Sequence, residues 1–195
     1  MDKNYKRILS LFAWASLILF AIRGLASISS VINMISNAKV WELIYNFLGY
    51  AGEAIFVSGI LLFFYDKFFW KIFNFWKIPI LEKEYTGSFV SSYDDKERTA
   101  ELVIKQSFLS IKIKMRTGES WSMSICENLD VQNGVNILTY TYFNKPDLKL
   151  YDRSKMHYGT VFLVCDNPKH LYGDYYTDRK TIGSIAFEAK TKTQR

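Results

Sequence analysis

Two long apolar stretches near the N-terminus constrain the fold of this chain more than any other feature. The first covers residues 8–22 and the second covers residues 43–65. A transmembrane helix needs about 20 apolar residues to cross a hydrocarbon core of roughly 30 Å. The second stretch meets this requirement alone, and the first meets it when its helix continues past Arg23. The pattern predicts a membrane hairpin of two α-helices within residues 1–81.

Positively charged residues give this hairpin an orientation. They stand before the first stretch and after the second, at Lys3, Lys6, Arg7, Lys67, Lys71, Lys77 and Lys83. The connection between the stretches has little besides Arg23 and Lys39. The positive-inside rule therefore predicts that both termini are cytoplasmic. A cleavable signal peptide is the alternative for the first stretch, but the second stretch would still anchor the processed chain.

The net charge is concentrated beside the bilayer. Of the total of +6, residues 1–81 contribute +4 and residues 82–195 contribute +2. Lysines alternate with aromatic residues over residues 66–77, a composition that favours lipid headgroups, so we expect the lipid bilayer to be a partner. The nearly neutral remainder lacks the dense basic patches that long nucleic acids require. No DNA or RNA partner is therefore expected.

Two ionisable residues lie within or at the edge of the apolar stretches. Arg23 is 16 residues beyond Arg7, and Glu53 is 13 residues before Asp66. At 1.5 Å per residue these positions lie about 24 and 20 Å along their helices. We therefore expect the two charges to meet in an antiparallel hairpin, which offsets the cost of an isolated intramembrane charge. The pair serves either as a structural clamp or in an assembly, where Glu53 faces another protomer or a water-filled path.

Residues 82–195 read as a soluble all-β domain. The predicted strands are residues 85–93, 99–106, 109–117, 120–127, 135–143, 158–165, 171–177 and 182–189. Apolar and basic residues alternate over residues 111–116, which places one face of that strand in a core. Consecutive strands without a helix favour a meander, and closure removes its exposed edges. We predict a small eight-stranded antiparallel meander barrel that is lipocalin-like.

The fourth predicted strand leaves the lining of this barrel open. It alternates two sets, Ser120, Ser122 and Ser124 against Trp121, Met123 and Ile125. By default the apolar set points inward, whereas a change of register by one residue would exchange the two sets. An eight-stranded barrel is either filled or just wide enough for one small ligand, so the choice bears on function.

The two cysteines, Cys126 and Cys165, each lie in an apolar strand-like run. We expect both to be buried free thiols, because the cytosol is reducing. Neither cysteine stands at ligand spacing from the two histidines, His157 and His170. No metal site and no cofactor are therefore expected.

Polar and aromatic residues are dense in the later strands. They are Tyr140, Tyr142, Asn144, His157, Thr160, Tyr175, Tyr176, Thr177, Arg179 and Thr181. Aromatic rings stack on bases, Asn and Thr bond to base edges, and Arg binds phosphate, so the set is what a nucleotide pocket requires. Tyr and Thr are also common strand residues, and composition alone favours that ordinary role.

Three segments of this region resemble a known family. Residues 140–146 read Tyr-Thr-Tyr-Phe-Asn-Lys-Pro, residues 157–160 read His-Tyr-Gly-Thr, and residues 171–183 read Leu-Tyr-Gly-Asp-Tyr-Tyr-Thr-Asp-Arg-Lys-Thr-Ile-Gly. They resemble the β-barrel of CBASS antiphage effectors described as SMODS-associating proteins with two transmembrane helices and a β-strand-rich domain. The resemblance extends over essentially the whole chain and rests on order and architecture.

The resemblance implies that a cGAS-like nucleotidyltransferase makes a cyclic dinucleotide that the barrel binds as its ligand. Binding would drive the hairpins into a homo-oligomer, disrupt the bacterial inner membrane and kill the infected cell. Matching positions assign the ligand to Tyr142, Asn144, His157, Thr160, Tyr176, Thr177, Arg179 and Thr181. Arg179 would bind a phosphate and the tyrosines would stack on bases. His157 either joins them or satisfies a neighbouring backbone group.

Two other functions compete with this one. A membrane-anchored lipocalin-like carrier would hold an apolar ligand in the same barrel, and arginine and histidine at the pocket argue mildly against it. An enzyme would need a nucleophile elbow, paired carboxylates, a phosphate loop or a metal motif. The sequence has none of these motifs, so no catalytic residue is predicted.

Overall fold

The computed structural model describes the backbone of residues 3–150, 152 and 154–190, and their side chains from residue 6 onward. The side chain of Lys3, and residues 191–195 of the predicted soluble domain, lie outside the described residues. The chain divides into two compact units, Met1–Phe73 and Asn74–Arg195. We call them the helical unit and the barrel unit.

Three α-helices make up the helical unit. They are α1 (Lys3–Ala26), α2 (Ile28–Ser36) and α3 (Val40–Phe64), and a π-helical turn at Tyr65–Phe69 extends α3. Two segments, Lys6–Ala26 and Val40–Phe69, are long and apolar enough to cross a membrane. α1 packs against α3. The prediction of two long apolar helices is confirmed, and the first helix does continue past Arg23.

Eight strands form the barrel unit. They are β1 (Glu84–Ser91), β2 (Glu97–Gln106), β3 (Ile111–Thr117), β4 (Ser120–Gln132), β5 (Val135–Pro146), β6 (His157–Asn167), β7 (His170–Thr177) and β8 (Ile182–Ala189). Each strand pairs with its neighbour in antiparallel fashion, and β1 pairs with β8 to close the sheet. The predicted eight-stranded meander barrel is confirmed. β4 and β5 are longer than predicted, because their ladder runs from Ser120↔Pro146 to Gln132↔Val135.

The meander places alternate connections at opposite ends of the barrel. The β1–β2, β3–β4, β5–β6 and β7–β8 connections share one end, which surrounds a cavity and which we call the open end. The other three connections share the closed end. The core there contains side chains that are fully shielded from solvent, among them Leu102, Leu138, Leu163 and Leu171.

A tyrosine ties the closed end together. The Tyr85 hydroxyl donates a hydrogen bond to the Pro168 carbonyl at 2.7 Å and accepts one from the Glu82 N–H at 2.8 Å. It therefore links the chain entering β1 to the turn between β6 and β7. Burial raises the pKa of Tyr85 to about 12, so this phenol stays protonated and keeps donating.

The expectation that the apolar residues of the fourth strand point inward was wrong. Ser122 is buried, Ser120 and Ser124 are half-buried, and the side chains of Trp121, Met123 and Ile125 are exposed. The reason is that β4 begins at the open end, where the interior is polar. Ser124 also replaces a missing ladder bond, because its hydroxyl accepts from the Ile113 N–H at 2.9 Å beyond the last β3–β4 pair.

The two cysteines differ in their surroundings. Both are free, and Cys165 is buried as expected, but Cys126 is exposed. A register shift between Ser124 and Cys126 in the β4–β5 ladder turns Cys126 outward. The expectation that both thiols are buried is therefore wrong for Cys126. Burial raises the pKa of the Cys165 thiol to about 11, which keeps it unreactive.

Candidate functional site

The predicted intramembrane pair forms in the helical unit. Arg23 Nε donates to Glu53 Oε2 at 3.0 Å, and Arg23 Nη1 donates to Ser27 Oγ at 3.2 Å. The guanidinium also lies over the Tyr50 ring, 5.1 Å from its centroid. The expectation that the two charges meet is confirmed. Both side chains are still about half exposed, at 47% and 56%, so the pair keeps a surface free for further contacts.

A cavity of about 300 Å³ opens in the barrel unit at the open end. Its deeper wall is largely apolar and aromatic, with Phe89, Met115, Tyr142, Val161, Tyr175 and Ile185. Its rim is polar and comes from all four connections of the open end, with Asp94, Arg98, Glu119, Ser154, Arg179 and Thr181 among its residues. The cavity therefore suits a small ligand that has flat apolar faces and polar edges.

Six of the eight predicted ligand residues line this cavity. They are Tyr142, Asn144, His157, Thr177, Arg179 and Thr181. They come from three consecutive strands and one turn, because β5, β6 and β7 pair with one another and β7 leads into the turn before β8.

The structure does not bring the other two residues, Thr160 and Tyr176, to the cavity. They face each other across the β6–β7 ladder on the outer surface. Tyr176 is 49% exposed, and its ring lies 6.1 Å from that of Phe162. Successive residues of a strand point to opposite faces, so Tyr176 cannot share a face with Thr177. The sequence alone could therefore have shown that Tyr176 and Thr177 do not both face the cavity.

The turn that carries Arg179 is held by two threonines. The hydroxyls of Thr177 and Thr181 are hydrogen-bonded at 2.6 Å, and the Thr177 N–H donates to the Thr181 carbonyl at 2.9 Å. Arg179 Nη1 donates to Ser154 Oγ at 3.3 Å. Among the residues that the structure describes, Arg179 has no carboxylate partner. Within that part of the chain, no ion pair neutralises its positive charge at the rim.

His157 is a buried, neutral side chain. Its Nδ1 lies 3.1 Å from the Lys155 carbonyl oxygen, and because a carbonyl only accepts, Nδ1 carries the proton. Burial lowers the pKa of His157, and this effect outweighs the opposing hydrogen bond to Lys155. The neutral ring therefore leaves Nε2 as an acceptor. Both sequence interpretations hold in part, since the ring satisfies a backbone group and also lines the cavity.

The sequence analysis did not predict Arg98, whose guanidinium is held by a neighbouring carboxylate. Arg98 Nη1 and Nη2 donate to the two carboxylate oxygens of Asp94 at 2.9 and 2.5 Å, and both residues line the cavity. The hydrogen bond from Arg98 lowers the pKa of Asp94, so the carboxylate stays ionised. The signal was the position of both residues in or beside the first hairpin turn, at the same barrel end as Arg179.

Tyrosine side chains form part of the barrel interior at and beside the cavity. Burial raises the pKa of Tyr142 and of Tyr175, so both are neutral hydrogen-bonding groups, and both line the cavity. The Tyr140 ring lies next to that of Tyr142, 6.2 Å between centroids, and its hydroxyl is buried without a hydrogen-bond partner among the described residues. Within the same part of the chain, no three potential metal ligands come together.

Comparison with known proteins agrees with this architecture. The family model for the Cap15 cyclic dinucleotide receptor domain matches residues 76–189, which include all eight strands and the cavity. CD-NTase-associated protein 15 of Staphylococcus schleiferi is 24% identical over 191 residues, covering 95% of this chain and 97% of that protein. The family match spans more than half of the chain. The resemblance to CBASS effectors is thereby confirmed, and this chain belongs to the Cap15 cyclic dinucleotide receptor family.

Proposed function

We propose that the chain is an antiphage effector whose barrel binds a cyclic dinucleotide. The observation that carries this proposal is the cavity at the open end, where Arg179 supplies a cation without a carboxylate partner among the described residues. A cyclic dinucleotide carries two phosphate charges and two flat bases. Arg179 would bind a phosphate with charge-assisted hydrogen bonds. Tyr142 and Tyr175 would stack against base or ribose.

The remaining polar residues would orient the ligand. Asn144 and Thr177 are buried beside the cavity and offer both donors and acceptors. The His157 ring adds a single acceptor at Nε2. Such groups discriminate strongly, because a ligand that leaves them unpaired loses the hydrogen bonds they made with water.

We further propose that the barrel lies in the cytosol and that ligand binding drives the helical units to associate. Both termini would be cytoplasmic at the bacterial inner membrane, as the charge distribution predicts. Association would disrupt that membrane and kill the infected cell. A ligand shifts such an equilibrium only through a higher affinity for the assembled state. The half-exposed Arg23–Glu53 pair supports a role in assembly, since charges facing lipid are costly until another polar surface covers them.

An apolar cargo fits this cavity poorly. Of the residues that the structure describes, four with charged side chains stand at its rim, Asp94, Arg98, Glu119 and Arg179. An apolar ligand would remove water from them without replacing its hydrogen bonds. The charges therefore favour the nucleotide over the lipid carrier.

Binding of cyclic dinucleotides to the full chain in detergent tests the sensor. Arg179→Ala should weaken binding at least tenfold, because one charge-assisted hydrogen bond contributes about 1.5–3 kcal/mol. Lys180→Gln removes the same charge from the same turn at a residue outside the cavity and should change affinity less than twofold. Equal affinity of Arg179→Ala and the unmodified chain would remove Arg179 from the site. Binding of fatty acid but of no cyclic dinucleotide would overturn the sensor proposal.

Survival of infected cells tests the execution step. Glu53→Gln removes the negative member of the intramembrane pair and should abolish killing while ligand affinity stays unchanged. Glu42→Gln is the matched control, since Glu42 pairs locally with Lys39 three residues away, and it should kill normally. Normal killing by Glu53→Gln would show that the pair is a dispensable clamp.

A further inference from the structure

Arg98 stands at the open end of the inward face of β2. It is followed at alternate positions by Ala100, Leu102 and Ile104, which are buried in the core. Successive residues of a strand point to opposite faces, so the Arg98 side chain shares the face of these three residues. It lines the cavity. The inner face of β2 therefore changes from apolar packing to a cation where the cavity begins.

The Arg98 guanidinium has more donors than its protein partners use. Nη1 donates to Asp94 Oδ1 at 2.9 Å and to the Lys96 carbonyl oxygen at 3.3 Å, and Nη2 donates to Asp94 Oδ2 at 2.5 Å. A guanidinium has five N–H donors, so Nε–H and the second Nη2–H remain. Among the residues that the structure describes, no acceptor binds these two donors. They lie side by side, so Arg98 keeps one complete bidentate edge.

Asp94 holds the plane of this guanidinium. The hydrogen bond from Arg98 is the main reason that the pKa of Asp94 is lowered, so the carboxylate stays ionised at neutral pH and keeps both bonds. An arginine held in this way has little side-chain freedom left to lose when it binds a further group. Phosphate and carboxylate groups match such an edge, because two of their oxygens accept the two parallel donors.

Arg98 and Arg179 come from neighbouring parts of the open end. β1 pairs with β8. Beyond this ladder, the Ser92 N–H donates to the Ile182 carbonyl at 2.8 Å and the Ile182 N–H donates to Ser92 Oγ at 3.1 Å, which ties the β1–β2 connection to the end of the β7–β8 connection. Burial raises the pKa of Tyr175, and the charges of Arg98 and Arg179 oppose that rise. Both guanidinium groups are therefore near the same phenol, which also lines the cavity.

We infer that the free edge of Arg98 binds one phosphate of the ligand while Arg179 binds the other, and that Asp94 positions Arg98. This inference rests on the proposed binding of a cyclic dinucleotide. Such a ligand is a ring with two phosphodiester groups, and each group has two non-bridging oxygens for a bidentate edge. Because one ring holds both phosphates, their separation is restricted. Two arginines on connections that are hydrogen-bonded to each other supply cations at a similarly restricted separation.

Affinity and its salt dependence, measured on the full chain in detergent, test this assignment. The probe is whichever of c-di-GMP, 3′,3′-cGAMP, c-di-AMP and c-di-UMP the unmodified chain binds most tightly. Arg98→Lys keeps the charge but lacks the planar edge, and it should weaken binding about tenfold. Arg98→Gln should weaken binding at least as much, and its affinity should fall less steeply with added salt, because one charged contact is gone. Arg116→Gln removes a charge from the exposed outer face of β3, outside the cavity, and should change affinity less than about twofold.

A double-mutant cycle tests the role of Asp94. Asp94→Asn should weaken binding in the unmodified chain but should have no further effect in Arg98→Gln, since it acts through Arg98. Equal effects in both backgrounds would overturn the positioning role. Full affinity in Arg98→Lys would overturn the bidentate contact, and a lower unfolding temperature with unchanged affinity in Arg98→Gln would show that Arg98 only closes the β1–β2 hairpin. Failure of all four probes to bind the unmodified chain would instead overturn the sensor itself.

Discussion

The two ends of the barrel are built from different side chains on the same strands. β6 begins at the open end with His157 and continues toward the closed end to Leu163 and Cys165. β7 runs the opposite way, from Leu171 to Thr177. All five side chains are buried, so burial alone does not distinguish the ends. The difference is chemical, since apolar packing fills one end and hydrogen-bonding groups surround a cavity at the other.

This contrast indicates that the two ends of one continuous sheet have different roles, stability at the closed end and binding at the open end. The closed end can be packed densely because its side chains have no ligand to admit, and dense packing is what makes a core sensitive to small changes. The open end retains groups that are costly to bury and depends on partners to satisfy them. Substitutions at the closed end should therefore change stability, whereas those at the open end should change binding.

The largest effect is expected for a matched pair of glycine substitutions in the barrel wall. In Gly173→Ala, on the closed-end half of β7, the added methyl group would meet the Phe162 carbonyl. That carbonyl belongs to the adjacent strand and cannot move without breaking the ladder, so we expect a loss of about 3 kcal/mol or more. In Gly159→Ala, on the open-end half of β6, the methyl group would instead meet the Tyr142 phenol, which has the cavity to move into.

Thermal unfolding and ligand titration of the two variants distinguish the ends. Gly159→Ala should cost only about 1 kcal/mol of stability but should weaken cyclic dinucleotide binding at least tenfold, because the displaced Tyr142 ring occupies the cavity. Gly173→Ala should melt at a much lower temperature. If the two variants lose equal stability and equal affinity, the proposed division between the ends is wrong.

Much of this fold was predictable because local pattern and global architecture agree. Over residues 111–116 the alternation of apolar and basic residues sets the inward face of β3, and Ile113 is indeed buried. The β4 segment carries an equally regular alternation, yet its apolar residues point outward. Periodicity shows that two faces exist but does not tell which one is inside. Which face is inside depends on the open end being polar, a property of the assembled barrel.

Strand position made part of the candidate site predictable, whereas Arg179 and Thr181, in the turn after β7, were assigned through the family resemblance. Asn144 and Thr177 follow from strand position and side-chain chemistry. The prediction that Tyr176 and Thr177 both face the cavity contradicts the alternation of side chains along a strand. That constraint is readable from the sequence alone. Asp94 and Glu119 lie in connections and reach the cavity because the closed meander gathers alternate turns at one end. That proximity is non-local and appears only once the strand order is known.

A smaller effect is expected from removing the hydroxyl of one of two tyrosines, Tyr85 or Tyr140. In Tyr85→Phe the hydroxyl that bonds to Glu82 and Pro168 is lost. The Glu82 N–H and the Pro168 carbonyl then lose this partner, which should cost about 1–3 kcal/mol. In Tyr140→Phe the lost hydroxyl has no partner among the described residues, so stability should change by less than about 0.5 kcal/mol or increase. Unfolding midpoints measured side by side check the order. Equal losses in both variants would mean that Tyr140 has a partner in solution, such as a bound water.

The smallest effect concerns the pH dependence contributed by His157. Its pKa in the folded barrel is lowered by burial below the ordinary value of 6.5, so the unfolded chain binds a proton at a higher pH than the folded chain does. Stability is therefore unaffected by this group above about pH 7 and falls as pH decreases through 6.5 toward the folded-state pKa. His157→Gln should reduce the loss of stability as the pH falls below 7, because the group that takes up a proton on unfolding is gone. An identical pH profile for His157→Gln and the unmodified chain would show that the ring is protonated without cost, which requires water to reach it and would make the open end more solvated than its buried side chains indicate.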